Sequence, residues 1–157
     1  LRRAEIVGLD MESVRFTDDA AVLTVCGKRN KTRTVPLRNG ALAALQDWLA
    51  IRGDEPGPLF WHCRKGGELL PRRLSTQAVY NEFGKRARKA NVAAFSPHDM
   101  RRTFAGDMLD AGADIATVQK LMGHSNVSTT AGYDRRGERA KMEAAGRLHF
   151  PYQRKAK

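Results

Sequence analysis

The stretch LMGHSNVSTTAGYDR, residues 121–135, decides how this chain is read. Leu121 and Met122 close an apolar helical pattern, Gly123 stops it, His124 follows at once, and Tyr133 stands nine residues further on. A glycine just past a helical pattern marks a helix end, because a residue without Cβ enters the left-handed conformation freely. His124 is therefore expected at the mouth of a helix. Upstream, SPHDMRR at 96–102 sets His98 and Arg101 three residues apart, on one face of a helix that Pro97 can open. Arg2 in LRRAE supplies a second arginine.

These residue types suit one kind of chemistry. Arginine forks match phosphate oxygens bidentately and keep their charge at any ordinary pH. A histidine can take or give a proton near neutrality. A tyrosine hydroxyl, which titrates near about 10 in isolation, becomes a nucleophile when cations or a base help remove its proton. Two arginines, two histidines and one tyrosine together fit attack on a phosphodiester.

The order of the motifs resembles the tyrosine recombinases, the phage integrase and Xer-type family, from Leu1 to about Arg147. The pattern LRxxE stands at Leu1 to Glu5, GKxxKxRxVPL at Gly27 to Leu37, SPHxxR at Ser96 to Arg101, LxGH at Leu121 to His124 and STTxxY at Ser128 to Tyr133. Met100 replaces the usual leucine and Arg102 a common second histidine, and neither change removes a catalytic position. The resemblance implies that Arg2, Lys28, His98, Arg101, His124 and Tyr133 are catalytic. Tyr133 would be the nucleophile, Arg2 and Arg101 the phosphate clamps, and His124 a further donor. His98 would accept or position the proton, and Lys28 would be the general acid, with Lys31 its rival. Glu5 would orient Arg2 or the nearby histidine, or serve as a helix-surface ion pair. No cofactor and no metal are implied, because the arginines supply the positive charge.

Composition agrees. The 157 residues are 41% hydrophobic, enough for one domain's core, and 28 Lys and Arg against 17 Asp and Glu give a net charge of +11. That sign favours a polyanionic partner, here double-stranded DNA, bound in a salt-sensitive way. Cys26 and Cys63 have no metal-ligand spacing and read as reduced thiols of a cytoplasmic protein, of bacterial, phage or mobile-element origin by resemblance. No apolar run is long enough to span a membrane.

The expected fold is α+β, mainly helical, with a small antiparallel sheet of about three strands. Residues 2 to 9 read as a short helix; 14 to 16, 21 to 25 and 33 to 37 as strands, with Lys28 at a hairpin tip; 41 to 51 as a helix that includes a core Trp48. Ser75 or Thr76 caps a helix to about Ala90 whose basic residues Lys85, Arg86 and Lys89, with Arg72 and Arg73 before it and Lys31 of the hairpin, are candidate DNA contacts. A helix from Pro97 is expected to bury Phe104 and Met108; Asp114 caps the next, Ser125 a following turn, and Gly132 loosens the segment before Tyr133. Residues 138 to 147 read as helix, and 148 to 157 as a tail with a possible edge strand through Leu148, Phe150 and Tyr152. The sequence opens inside a motif, so residues 1–147 are expected to be a catalytic domain lacking a preceding core-binding domain. The tail is expected to contact this chain or other protomers, in a tetrameric synapse by resemblance.

Three alternatives stay open at this level. A type IB topoisomerase would use nearly the same chemistry, a DNA-binding module inactive in this form would use only the charge, and a metal-dependent phosphodiesterase would draw on His62 and Cys63.

Overall fold

The computed structural model describes residues 1–27, 30–149 and 151–152, and Arg139 by its backbone alone. Lys28 and Phe150 lie outside the described residues. Helix α1 (Arg3–Val7) leads through a 3₁₀ turn (Met11–Ser13) into strands β1 (Val14–Phe16), β2 (Ala21–Cys26) and β3 (Thr32–Leu37), joined as an antiparallel sheet in that order. Helix α2 (Asn39–Arg52) follows, then a second, two-stranded sheet of β4 (Trp61–Cys63) and β5 (Leu69–Arg73). Five helices complete the described chain: α3 (Thr76–Lys89), α4 (Pro97–Asp110), α5 (Ile115–Met122), α6 (Val127–Ala131) and α7 (Gly137–Gly146).

Two apolar clusters organise these elements. Ala21, Leu23 and Val25 alternate along β2 and face Leu9, Leu45 and Leu59, with Trp48 of α2 packed alongside and its indole N–H donating to Leu59 O at 2.9 Å. Period-two burial on one face of β2 is what an antiparallel sheet covered on one side requires. The second cluster joins Ala105 and Leu109 of α4 to Val118 and Met122 of α5, with Tyr133 against it. Helix starts follow local chemistry: Ser75, Ser96 and Asp114 each accept a backbone N–H from the first turn of α3, α4 and α5.

Several expectations need correction. Phe104 is exposed and Met108 only half-buried, because α4 turns the stripe Arg101, Ala105 and Leu109 inward to meet α5. Asn126, not Ser125, caps α6, its carboxamide accepting from Ser128 N at 2.9 Å. Gly132 has ordinary right-handed dihedrals and room for a side chain, so the backbone there does not demand glycine. The second sheet was not visible in the sequence: β4 is three residues long and its pairing with β5 carries a register irregularity at Trp61 and His62. Leu148, His149, Pro151 and Tyr152 form no strand; Leu148 instead donates to Ala145 O at the end of α7.

Among the described residues no helix is long and apolar enough to cross a membrane, and no group of three His, Cys, Asp or Glu could hold a metal ion. Leu109 is fully buried where α4 meets α5. Leu109→Ala should therefore lower unfolding stability by about 2–5 kcal/mol in chemical denaturation, the usual cost of a core cavity.

Candidate active site

The site is built around the carboxyl end of α5. Gly123 ends that helix at φ +62°, and the His124 N–H returns to Gln119 O at 3.2 Å, a Schellman-type closure. The last carbonyls face three arginines drawn from three elements. Arg33 of β3 donates Nε to Leu121 O at 3.0 Å, Arg101 of α4 donates Nη2 to Met122 O, and Arg2, at the head of α1, donates Nη2 to Gly123 O at 3.1 Å. The negative end of a helix dipole attracts cations in this way. Gly123 is needed twice, for its positive φ and because an added Cβ would stand 3.1 Å from the Arg33 guanidinium.

One buried carboxylate ties the arginines together. Arg33 forks Glu5 bidentately, Nη1 to Oε1 at 3.0 Å and Nη2 to Oε2 at 2.8 Å. Arg2 donates its backbone N–H to Oε2 and its Nη1 to Oε1, both at 2.7 Å. Burial alone would raise the Glu5 carboxyl, but the Arg33 fork and the Arg2 backbone and side-chain donors reverse that and hold it at about 2. Glu5 is therefore a buried carboxylate bonded to both Arg2 and Arg33, not a helix-surface one.

Arg101 is 8% exposed, and its Nη1 is buried without a hydrogen-bond partner among the described residues. Burial and the neighbouring Arg2 bring its pKa down to about 10, with Glu5 opposing, so it stays charged at neutral pH. His124 Nδ1 lies 2.9 Å from Thr130 Oγ1, and its ring centroid is 5.9 Å from that of Tyr133. Burial, then Arg101, Arg2, Arg33 and His98, push the His124 pKa down. Tyr133 is anchored through its N–H to Thr130 O at 3.0 Å, and the next residues are clamped by Arg136, which binds Asp134 and donates to Leu109 O at 2.9 Å.

A groove of about 580 Å³ opens beside this cluster, lined by Arg2, Lys31, Arg33, Lys120, His124 and Thr129 among others. The structure thus brings together Arg2, Glu5, Arg101, His124 and Tyr133; His98 stands exposed on the first turn of α4, close enough to repel a proton on His124. Lys28 lies outside the described residues. The other candidate DNA contacts do not line the groove. Arg73 holds Val7 O, Leu9 O and Asp10, Lys85 and Arg86 both pair with Glu82 on α3, and Arg72 and Lys89 are exposed. Sequence reading passed over Arg33, Lys120 and Thr130. Arg33 and Thr130 both left a signal, since each stands inside a quoted motif and Arg33 also occupies an inward position of β3 with Val35 and Leu37.

The fold and the site define a mainly helical α+β domain in which arginine, histidine and tyrosine side chains meet at one helix end. The chain belongs to the phage integrase family, which its residues 1–139 match, and so to the tyrosine recombinases. It is 34% identical over 152 residues to tyrosine recombinase XerC of Corynebacterium glutamicum, covering 95% of this chain and 47% of that protein. It is 35% identical over 160 residues to XerC of Chromohalobacter salexigens, covering 99% and 51%. The chain spans about half the length of these curated relatives. In structure it resembles XerA recombinase, at 25% identity and a TM-score of 0.72, covering 95% of this chain and 54% of XerA. The fold is also that of XerH site-specific recombinase, solved bound to its difH substrate, at 22% identity and a TM-score of 0.69, covering 93% and 41%.

The depressed Glu5 pKa has a consequence for stability. A carboxyl lowered in the fold stabilises fully above its ordinary value near 4.5 and loses that contribution as pH falls towards about 2. Glu5→Gln should be markedly less stable than the parent at pH 7, and the difference should shrink between pH 4.5 and 2 in denaturant titrations across that range.

Proposed function

We propose that this chain is the catalytic part of a site-specific DNA recombinase that cleaves and rejoins double-stranded DNA through a covalent 3′-phosphotyrosine on Tyr133. The observation that carries this reading is the convergence of Arg2, Arg101, His124 and Tyr133 from four separate segments on the end of α5, with a buried Arg101 Nη1 that has no acceptor among the described residues. A scissile phosphate supplies what such a donor set needs: oxygens that gain charge in the pentacoordinate transition state. Removing one comparable donor from an oxyanion site costs about 10²–10³ in rate.

On this reading Arg2 and Arg101 hold the two non-bridging oxygens, and His124 donates to one of them. The Tyr133 oxygen forms a bond to phosphorus while the bond to the 5′-oxygen breaks. The tyrosine proton passes to His98, or His98 positions the hydroxyl, and Lys28 protonates the leaving 5′-oxygen. Gly27 and Lys31, on either side of Lys28 in sequence, both line the groove, which supports a role for that segment at the site. The phosphodiester energy is kept in the tyrosyl bond, so religation to another strand needs no ATP. The arginines provide the charge stabilisation that a two-metal nuclease takes from its ions.

DNA is the partner this reading requires, and the XerH and transposon integrase structures that share the fold are themselves DNA complexes. Further protomers assembled with it on DNA, four in a synapse, belong to the same proposal, as does a cytoplasmic, bacterial or mobile-element setting.

A suicide DNA carrying a cognate site, nicked beside the scissile phosphate and incubated in chelator, should trap a denaturant-resistant protein–DNA adduct that peptide mapping places on Tyr133. Failure on a site verified with a full-length relative would overturn the proposal. Tyr133→Phe should abolish the adduct while leaving gel-shift affinity nearly unchanged; a persisting adduct would move the nucleophile to Tyr80 or Tyr152. Lys28→Ala should cleave slowly on normal DNA and recover when sulfur replaces the leaving 5′-oxygen, and absence of that recovery would remove Lys28 from the general-acid role.

A further inference from the structure

The residue at Thr130 has no part in the chemistry described so far, yet its side chain is fully buried and its Oγ1 stands 2.9 Å from Nδ1 of His124. Among the described residues that nitrogen is the hydroxyl's one side-chain partner. A buried hydroxyl proton without an acceptor is costly, so the arrangement favours donation from Thr130 to Nδ1 over the reverse. His124 is also held neutral by its surroundings. Arg101 and His98 of α4, Arg2 beside α1 and Arg33 of β3 all disfavour a second proton on the ring, and burial acts the same way. A neutral imidazole that accepts at Nδ1 carries its proton on Nε2.

We propose that Thr130 is a positioning residue for strand transfer, its hydroxyl locking His124 in the tautomer that presents an Nε2–H donor to the groove. This rests on the recombinase reading of the site. His124 lines the groove, so a fixed donor there can serve a phosphate oxygen at no cost in reorganisation. In the opposite tautomer Nε2 would be an acceptor facing an anion, a repulsive contact where a hydrogen bond is required. The backbone of the same residue holds Tyr133, through Thr130 O to Tyr133 N at 3.0 Å. One residue near the end of α6 therefore sets both the donor's tautomer and the nucleophile's anchor.

Histidine-selective ¹⁵N spectra of the free protein, recorded above the His124 titration, read the tautomer directly, because protonated and bare ring nitrogens resonate far apart. The parent and Thr130→Ser should show a protonated Nε2 and a bare Nδ1. Thr130→Val, nearly isosteric but without the hydroxyl, should show a mixture of tautomers and form the covalent adduct about 10- to 100-fold more slowly, less than the roughly 10²–10³ that outright loss of one preorganised donor costs. Thr130→Ser should recover most of that rate. A protonated Nδ1 in the parent, or a Thr130→Val spectrum unchanged from it, overturns the proposal. If Thr130→Val does not fold, the parent and Thr130→Ser spectra decide. A protonated Nε2 in a parent that forms no adduct on a verified site would count against the recombinase reading while leaving the hydrogen bond established, so the two failures are distinguishable.

Discussion

Leu121, Met122 and Gly123 offer three successive carbonyls at the end of α5, and each accepts a hydrogen bond from a different arginine. The last four carbonyls of any helix lack partners inside it and must find them elsewhere. Here the partners come from β3, α4 and the residue before α1, so satisfying one helix end fixes the relative places of the sheet and the helical half of the chain. Leu1, next to Arg2, packs against the first apolar cluster, and Met122 belongs to the second. Neither cluster by itself would orient a guanidinium; the carbonyls do so because hydrogen bonds are directional where apolar contact is not.

The same junction concentrates charge. Arg2 and Arg33 bind the buried Glu5, and Arg101 stands near enough to feel its charge without a bond to it. Three cations against one anion leave an excess of positive charge, which a groove bordered by Lys31 and Lys120 extends. The helix dipole and Glu5 offset part of this excess. His124 feels the excess as a lowered pKa, and it is thereby kept a neutral donor rather than a further cation. Positioning and electrostatics thus have a common origin, since the bonds that aim the arginines also gather the charge that acts on the histidine.

Much of this was legible in the sequence where the governing physics is local. Strands at 14–16, 21–26 and 32–37 follow alternation, the caps at Ser75, Ser96 and Asp114 follow from short polar side chains ahead of helical patterns, and Gly123 marks its helix end. Phe104 was misjudged for the opposite reason: helical spacing says that a face exists, while the neighbour decides which stripe is covered, and α5 covers Arg101, Ala105 and Leu109. The second sheet escaped because β4 is short, β5 carries Pro71, a residue that argues against a strand, and their pairing is irregular at Trp61 and His62. Arg73, read as a candidate DNA contact, ties β5 to the end of α1 through a contact 66 residues away.

The sequence by itself determined which residues are available and in what order: a tyrosine nine positions after a histidine, an HxxR pair, an arginine three before Glu5, and a basic excess suited to DNA. It also determined the helix end from which His124 emerges, because glycine's freedom at positive φ is a property of the residue and not of its surroundings. Only the tertiary structure decided that Arg33 shares Glu5 with Arg2, that Arg101 donates to Met122 O, and that the Thr130 hydroxyl meets His124. Those contacts join residues far apart in the chain or on separate elements. Hydrogen-bond pairing at such separations depends on distance and angle in space, which no periodicity or local propensity encodes.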